Sequence, residues 1–338
     1  MATIRDIARV TNVSCTTVSN VIHGKDNRVS AATIKKINDA IKELGYIPNM
    51  SARSLVSNSS KVIGFVNHTI TVKKANFMED PFHSTSIGAI EQALRENGYY
   101  LMLRTIETAE ELLAFLRTWN VDGLFFTGIF QDHFFDVLSS LNTPIVLIDS
   151  YANHSAFCNV GLTDFEGSYD ITKYLINHGH KRIAFASPSI KDGGVLQERF
   201  LGYKAALTEH QIPFEKSLVF VQEMDIDSCR LVSRDICTHP DITAVVASAD
   251  VMAAGIMAGL RDLGKKIPEE ISIVGFDDIN LCQMVSPPLT TVHQDIGLKG
   301  RLATELMLQL LDGKKVPNRH PVLPTRLVER QSVRFISE

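Results

Sequence analysis

The chain has 338 residues, 45% hydrophobic and 21% charged, with a formal net charge of −4. That length allows two or three domains with real cores, and the composition describes a soluble globular protein. No apolar run approaches the ~20 residues of a membrane span and the N-terminus lacks an apolar signal core, so neither membrane insertion nor export is expected and a cytoplasmic protein is.

The modest net charge hides an asymmetry. Residues 1–60 carry eight Lys and Arg against four acids, while the remainder carries 26 against 34. A basic head on an acidic body suits a polyanion partner for the head alone. Cys15, Cys158, Cys229, Cys237 and Cys282 form no CxxC pair and no metal-ligand spacing. Neither a metal nor a disulfide framework is expected, and a reducing compartment fits.

Thr3, with Asp6 three residues on, resembles a capping box and starts a first helix near Ile4. Ile7, Ala8 and Val10 give that helix an apolar face before Thr11-Asn12-Val13 breaks the period. Asn12 is the next-best residue after Gly for a turn position with positive φ. Ser14 caps a second helix, and two short helices about a three-residue turn make the helix-turn-helix pattern. By itself the pattern also occurs in folds that never touch nucleic acid. The exposed face of the second helix shifts the balance toward DNA. Cys15, Thr16, Thr17, Ser19 and Asn20 are short and carry no acid to repel phosphate, and small hydroxyls and an amide suit groove edges. Ser30 caps a third helix, whose Ile34, Ile37, Ile41 and Leu44 close a small core and which Gly45 ends. Pro48 keeps the linker extended, and Asn49 can cap a short segment to Ser57, which is marginal as a helix in water.

From Lys61 on, apolar runs at 62–66, 100–103, 123–126, 145–148, 183–186, 244–247 and 271–274 read as buried parallel strands. Helical stretches at 86–97, 109–119, 165–178, 197–209, 228–237, 251–263 and 297–311 fill the crossovers. So many βα units imply two doubly wound α/β sheets behind an all-α N-terminal domain.

The motifs Ser14-x-x-Thr17-Val18-Ser19, Leu44-Gly45-Tyr46-Ile47-Pro48-Asn49 and Ala52-Arg53-Ser54-Leu55 resemble the headpiece of the LacI/GalR family of transcriptional regulators. Gly179-His180-Lys181-Arg182-Ile183, Arg199-Phe200-Leu201-Gly202-Tyr203, Val274-Gly275-Phe276-Asp277-Asp278 and Pro288-Leu289-Thr290-Thr291-Val292 are similar to its periplasmic-binding-protein-like effector core. The resemblance implies a headpiece over 1–48, a hinge helix and linker over 49–60, and a core over 61–338 with an N-lobe of about 61–160 plus 292–320 and a C-lobe of about 162–290 plus 322–338. It implies three crossovers, near 160–163, 290–294 and 320–325. The DNA-binding set becomes Thr3, Ser14, Cys15, Thr16, Thr17, Ser19, Asn20, Asn49, Arg53 and Leu55, with Leu55 wedged in the minor groove. Related repressors usually carry Arg where Asn20 stands, so an operator richer in adenine at that step is expected.

Polar residues follow the predicted strands at Asn67, Thr127, Asp149, Asp250 and Asp277, at the strand ends where doubly wound folds take ligands. Such an Asp more often caps the next helix, and Asp278 is assigned that way. For Arg199 and Asp277 the resemblance favours effector contact; Thr127, Asp149 and Asp250 are weaker candidates, and Phe82 offers an apolar face for a ring. Carboxylates facing a guanidinium suit a polyhydroxy ligand, so a carbohydrate effector is expected. An insertion around 69–78 brings Lys73 and Lys74, which meet an anionic effector if that loop edges the cleft and are otherwise solvated.

The expected protein is a dimeric repressor of a pseudo-palindromic operator, controlled by a small molecule and using no cofactor. A solute-binding protein for transport shares the two-lobed core, but the basic headpiece argues against it. An enzyme is disfavoured because no G-x-G-x-x-G follows a strand and no P-loop, HExxH or nucleophile elbow is present.

Overall fold

A computed structural model describes residues 2–22, 24, 26–46, 59–68, 76–152, 155 and 157–336. Asn49, Arg53 and Leu55 of the expected hinge, and Lys73 and Lys74 of the insertion, lie outside the described residues. The chain divides into two compact units, Met1–Ser60 and Lys61–Glu338.

The first unit holds helices Ile4–Thr11, Cys15–Ile22 and Ala31–Glu43. Thr3 and Asp6 form the capping box, and Asn12 adopts the left-handed conformation (φ 54°) while its N–H closes the helix on the Ala8 carbonyl. Ser14 Oγ accepts the Thr17 N–H at 3.0 Å. Ser30 Oγ accepts the Thr33 N–H at 3.3 Å. At the end of the third helix the Tyr46 N–H reaches the Ile41 carbonyl and the Gly45 N–H the Lys42 carbonyl, with Gly45 at φ +59°. This is the Schellman arrangement that a glycine permits. Ile7, Ala8, Val18, Val21, Ile37 and Ala40 form the core beneath.

The second unit contains two six-stranded sheets. Strands β1 (Val62–Asn67), β2 (Tyr100–Thr105), β3 (Gly123–Thr127), β4 (Ile145–Ile148), β5 (Cys158–Leu162) and β11 (Val322–Leu323) form the first, in the order β11-β5-β4-β3-β1-β2. The second runs β12 (Arg326–Val328), β10 (Thr290–His293), β9 (Ser272–Asp277), β8 (Ala244–Ala247), β6 (Ile183–Ser187) and β7 (Val219–Val221). Every pairing is parallel except β10 with β12. All seven expected strands are present. The additional ones are short, or polar like the Thr-Thr-Val-His of β10, or half-exposed like β5, which buries only every second residue. None makes the continuous apolar run that marks a central parallel strand.

The chain passes between the sheets three times: after β5, after β10, and between β11 and β12. β10 at 290–293 belongs to the second sheet and β11 at 322–323 to the first, so the second passage follows residue 293 and the third falls at 324–325.

The seven expected helices also form, mostly starting a residue or two early. The largest departure is the helix Pro81–Glu96, which begins five residues before position 86 because Asp80 Oδ1 caps the Phe82 N–H and Pro81 takes the first position. That early start puts Phe82 and His83 in the first turn. Asp278 caps no helix. At φ +57° it instead accepts Arg330 Nη2 at 2.5 Å and pairs with His293 Nδ1 at 2.8 Å, so the assignment to a cap is corrected.

Candidate effector cleft and nucleic-acid interface

At the carboxyl ends of the two sheets, charged side chains from both converge around Arg199. The helix Val195–Glu209 that carries it lies almost in backbone contact with the helix Asp164–Asn177. A Cβ at Gly202 would fall 2.2 Å from the Phe165 carbonyl oxygen, so only glycine allows the approach. The result is a buried arginine, 6% exposed, whose Nε donates to Asp164 Oδ1 at 2.8 Å and whose Nη1 donates to the Ser248 carbonyl at 2.6 Å. Its Nη2 stands 3.5 Å from Asp277 Oδ1, and its face lies 3.6 Å from the Phe276 ring centroid.

Asp277 ends β9 with φ +120°, a conformation costly for a residue with a Cβ. Its Oδ1 accepts Gln294 Nε2 at 2.6 Å. Burial pushes its carboxyl up to about 8, against the pull of Arg199. Burial also raises Asp164, again opposed by Arg199. Tyr151 donates to Asp164 Oδ2 at 2.8 Å, and burial followed by that carboxylate drives its phenol upward.

A second cation completes the cluster. Lys299 Nζ lies 2.7 Å from both oxygens of Asp149 and donates to Gln294 Oε1 at 2.6 Å, while standing 5.3 Å from the Phe82 ring centroid. The neighbouring His83 is pushed down by burial, with Asp80 and Asp149 pulling the other way. Polar contacts thus run from Asp149 through Lys299, Gln294 and Asp277 to Arg199, then through Asp164 back to Tyr151. The two ends both follow β4 of the first sheet, while Asp277 and Arg199 belong to the second.

Of the expected ligand residues, the structure gathers Phe82, Asp149, Arg199 and Asp277 here. Thr127 ends β3, where its carbonyl accepts the His68 N–H. Asp250 is fully buried, and its oxygens accept the Ile279 N–H at 3.0 Å and Thr291 Oγ1 at 2.5 Å. These bonds tie β10 and the turn after β9 to the helix Asp250–Asp262. Sequence reasoning missed Asp164, Gln294, Lys299 and Tyr151. Asp164 opens a helix just after β5, whose alternate residues are only partly buried and so make no continuous apolar run, and Lys299 sits in an amphipathic helix where lysine ordinarily faces water. Among the described residues no group of His, Cys, Asp and Glu is placed to hold a metal, and no helix is long and apolar enough to cross a membrane.

In the first unit, the second helix buries Val18 and Val21 and exposes Cys15 and Thr16, with Thr17, Ser19 and Asn20 half-buried. The Thr3, Ser14 and Thr17 hydroxyls take part in helix caps. Ser14 Oγ and Thr17 Oγ1 lie 2.8 Å apart at the start of the second helix.

Residues 3–49 match the bacterial regulatory proteins of the lacI family, and residues 172–333 match the periplasmic binding protein-like domain. The chain is 34% identical over 344 residues to the HTH-type transcriptional repressor PurR of Vibrio atlanticus, covering 100% of both. The structure of a transcriptional regulator CelR–cellobiose complex aligns at 28% identity with a TM-score of 0.73, over 98% of this chain and 100% of that one. The lac repressor dimer bound to operator and the anti-inducer ONPF aligns at 26% identity with a TM-score of 0.84, over 98% and 99% of the two chains. The chain belongs to the LacI family: it is a DNA-binding transcriptional regulator with a ligand-binding core, not an enzyme.

Proposed function

We propose that the protein is a dimeric repressor of a pseudo-palindromic operator whose headpiece (1–48) and hinge (49–60) respond to a sugar or sugar derivative held between the lobes of the core. The observation that carries this reading is Arg199, a buried guanidinium stacked on Phe276 and flanked by Asp164 and Asp277 where strand ends of both sheets meet. Carboxylates accept from vicinal hydroxyls, the guanidinium donates to them, and Phe82 offers an apolar ring face. The CelR relative holds cellobiose, a ligand of this chemistry. The effector contacts are Phe82, Asp149, Arg199 and Asp277, with Thr127 at the edge. The effector changes the closure of the lobes only through its unequal affinity for the two states.

Dimerisation follows from the symmetry of the DNA, since one headpiece reads half a palindrome. Apolar surface supports it: Tyr100, on the edge strand β2, is 62% exposed and Trp119 is 52%, while on the second sheet's side Ile226 and Met284 reach 67% and 77%. The lac repressor relative is a dimer on its operator.

Selection of bound sequences from a random duplex library at two salt concentrations tests the reading. A pseudo-palindrome with a flexible central step and affinity falling steeply with salt is expected. Weak, sequence-independent binding, with or without cellobiose, would refute the operator assignment. The same selection checks the recognition helix. Asn20→Arg is expected to move preference from adenine toward guanine at one symmetric pair of positions, by about 1–3 kcal/mol. An unchanged base there would remove Asn20 from the base-reading set.

A further inference from the structure

Lysine is almost never fully buried unless paired. Lys299 has no exposed surface. It lies near the start of the helix Ile296–Leu311, where the helix dipole disfavours a cation, so helix stability does not explain it. The next residue, Gly300, brings this helix against Pro81–Glu96: a Cβ there would stand 2.8 Å from Ala89 Cβ and 2.9 Å from the Ser86 carbonyl oxygen. That contact holds the lysine beside Phe82. Its ammonium therefore meets a carboxylate through both oxygens, an amide oxygen and an aromatic face. These are the groups that recognise a primary ammonium ion. Here the chain supplies the ammonium itself.

The consequence falls on the ligand. With both oxygens on Lys299, Asp149 is compensated within the protein, and a ligand amine finds its place taken. A phosphate or carboxylate finds Lys299 and the Nε and Nη1 of Arg199 already committed to protein oxygens. We propose that Lys299 is the specificity-determining residue of the cleft: it fills an ammonium site formed by Asp149, Gln294 and Phe82 and so restricts the effector to uncharged polyhydroxy molecules. This rests on the reading of the cleft as the effector site.

Lys299→Ala empties that site and leaves a gap the size of n-propylammonium. In thermal melts of the full-length protein, n-propylammonium chloride should raise the melting temperature of Lys299→Ala by at least about 3 °C at tens of millimolar. The wild type and Lys299→Ala/Asp149→Asn should not respond, nor should Lys299→Ala to n-propanol. An equal response to the alcohol, or none to the amine, overturns the ammonium site. Should Lys299→Ala not fold, Lys299→Met compared with Lys299→Met/Asp149→Asn decides the point: recovery of stability in the double variant supports charge compensation, and its absence refutes it. Titration of the wild type with cellobiose, D-glucose, D-glucosamine and D-glucose 6-phosphate tests selectivity, and tighter binding of either charged sugar overturns it. An intact amine response beside sugar binding that survives Arg199→Ala would instead overturn the cleft reading and leave the ammonium site standing.

Discussion

Arg199→Ala is expected to abolish the response of operator binding to sugar and to lower the stability of the core by about 3–5 kcal/mol, the cost of leaving buried carboxylates without their cation. In a domain of this size that corresponds to a fall in melting temperature on the order of 10 °C. Asp164 would lose its partner at 2.8 Å, and Asp277 its neighbour at 3.5 Å. Both carboxyls already sit above their ordinary values because of burial, so without the guanidinium both take protons more readily. The loss should therefore be smaller at pH 5 than at pH 8. Arg199→Lys keeps the charge but not the fork that reaches Asp164, the Ser248 carbonyl and Asp277 together, and should recover only part of the stability. Calorimetry at the two pH values checks this, and an equal loss at both would show that the carboxylates are not what the arginine supports.

Asp277→Asn is expected to act in the opposite direction. The folded protein holds the Asp277 proton up to about pH 8, whereas the unfolded chain releases it near the ordinary value of about 3.9. Below both values the two states are protonated alike and the residue adds no pH dependence. Between them, unfolding releases a proton, so this residue makes stability fall as pH rises, by at most about 1.4 kcal/mol per unit. Asparagine retains an oxygen for Gln294 and removes the titration. The variant should be progressively more stable than the wild type from pH 5 to pH 8, while losing affinity for a polyol that uses the carboxyl. Parallel stability curves across that range would contradict a raised Asp277. A gain in stability joined to a loss of binding would fit the strained φ of +120° at this residue, since strain is kept where function needs it.

The headpiece was largely legible in the sequence. Its caps at Thr3, Ser14 and Ser30, the left-handed Asn12 and the closing Gly45 are local devices, each settled within a few residues of chain. Six of the seven expected strands were legible for a similar reason, since a strand buried on both faces has to be apolar along its length, whereas the edge strand β2 shows an apolar run without that burial. The family followed from motifs in order along the chain. What the tertiary structure decided is the constitution of the cleft. Asp149 and Lys299 are 150 residues apart in sequence, and Arg199 and Asp164 are 35; no local periodicity records that they meet. The same distinction separates Asp250, spent on Thr291 and Ile279, from Asp277, which shares a guanidinium, although both are aspartates at strand ends. Sequence patterning reports which face of an element is buried. Which charges face one another across two sheets depends on how closely the helices pack, and here that rests on the missing side chains of Gly202 and Gly300.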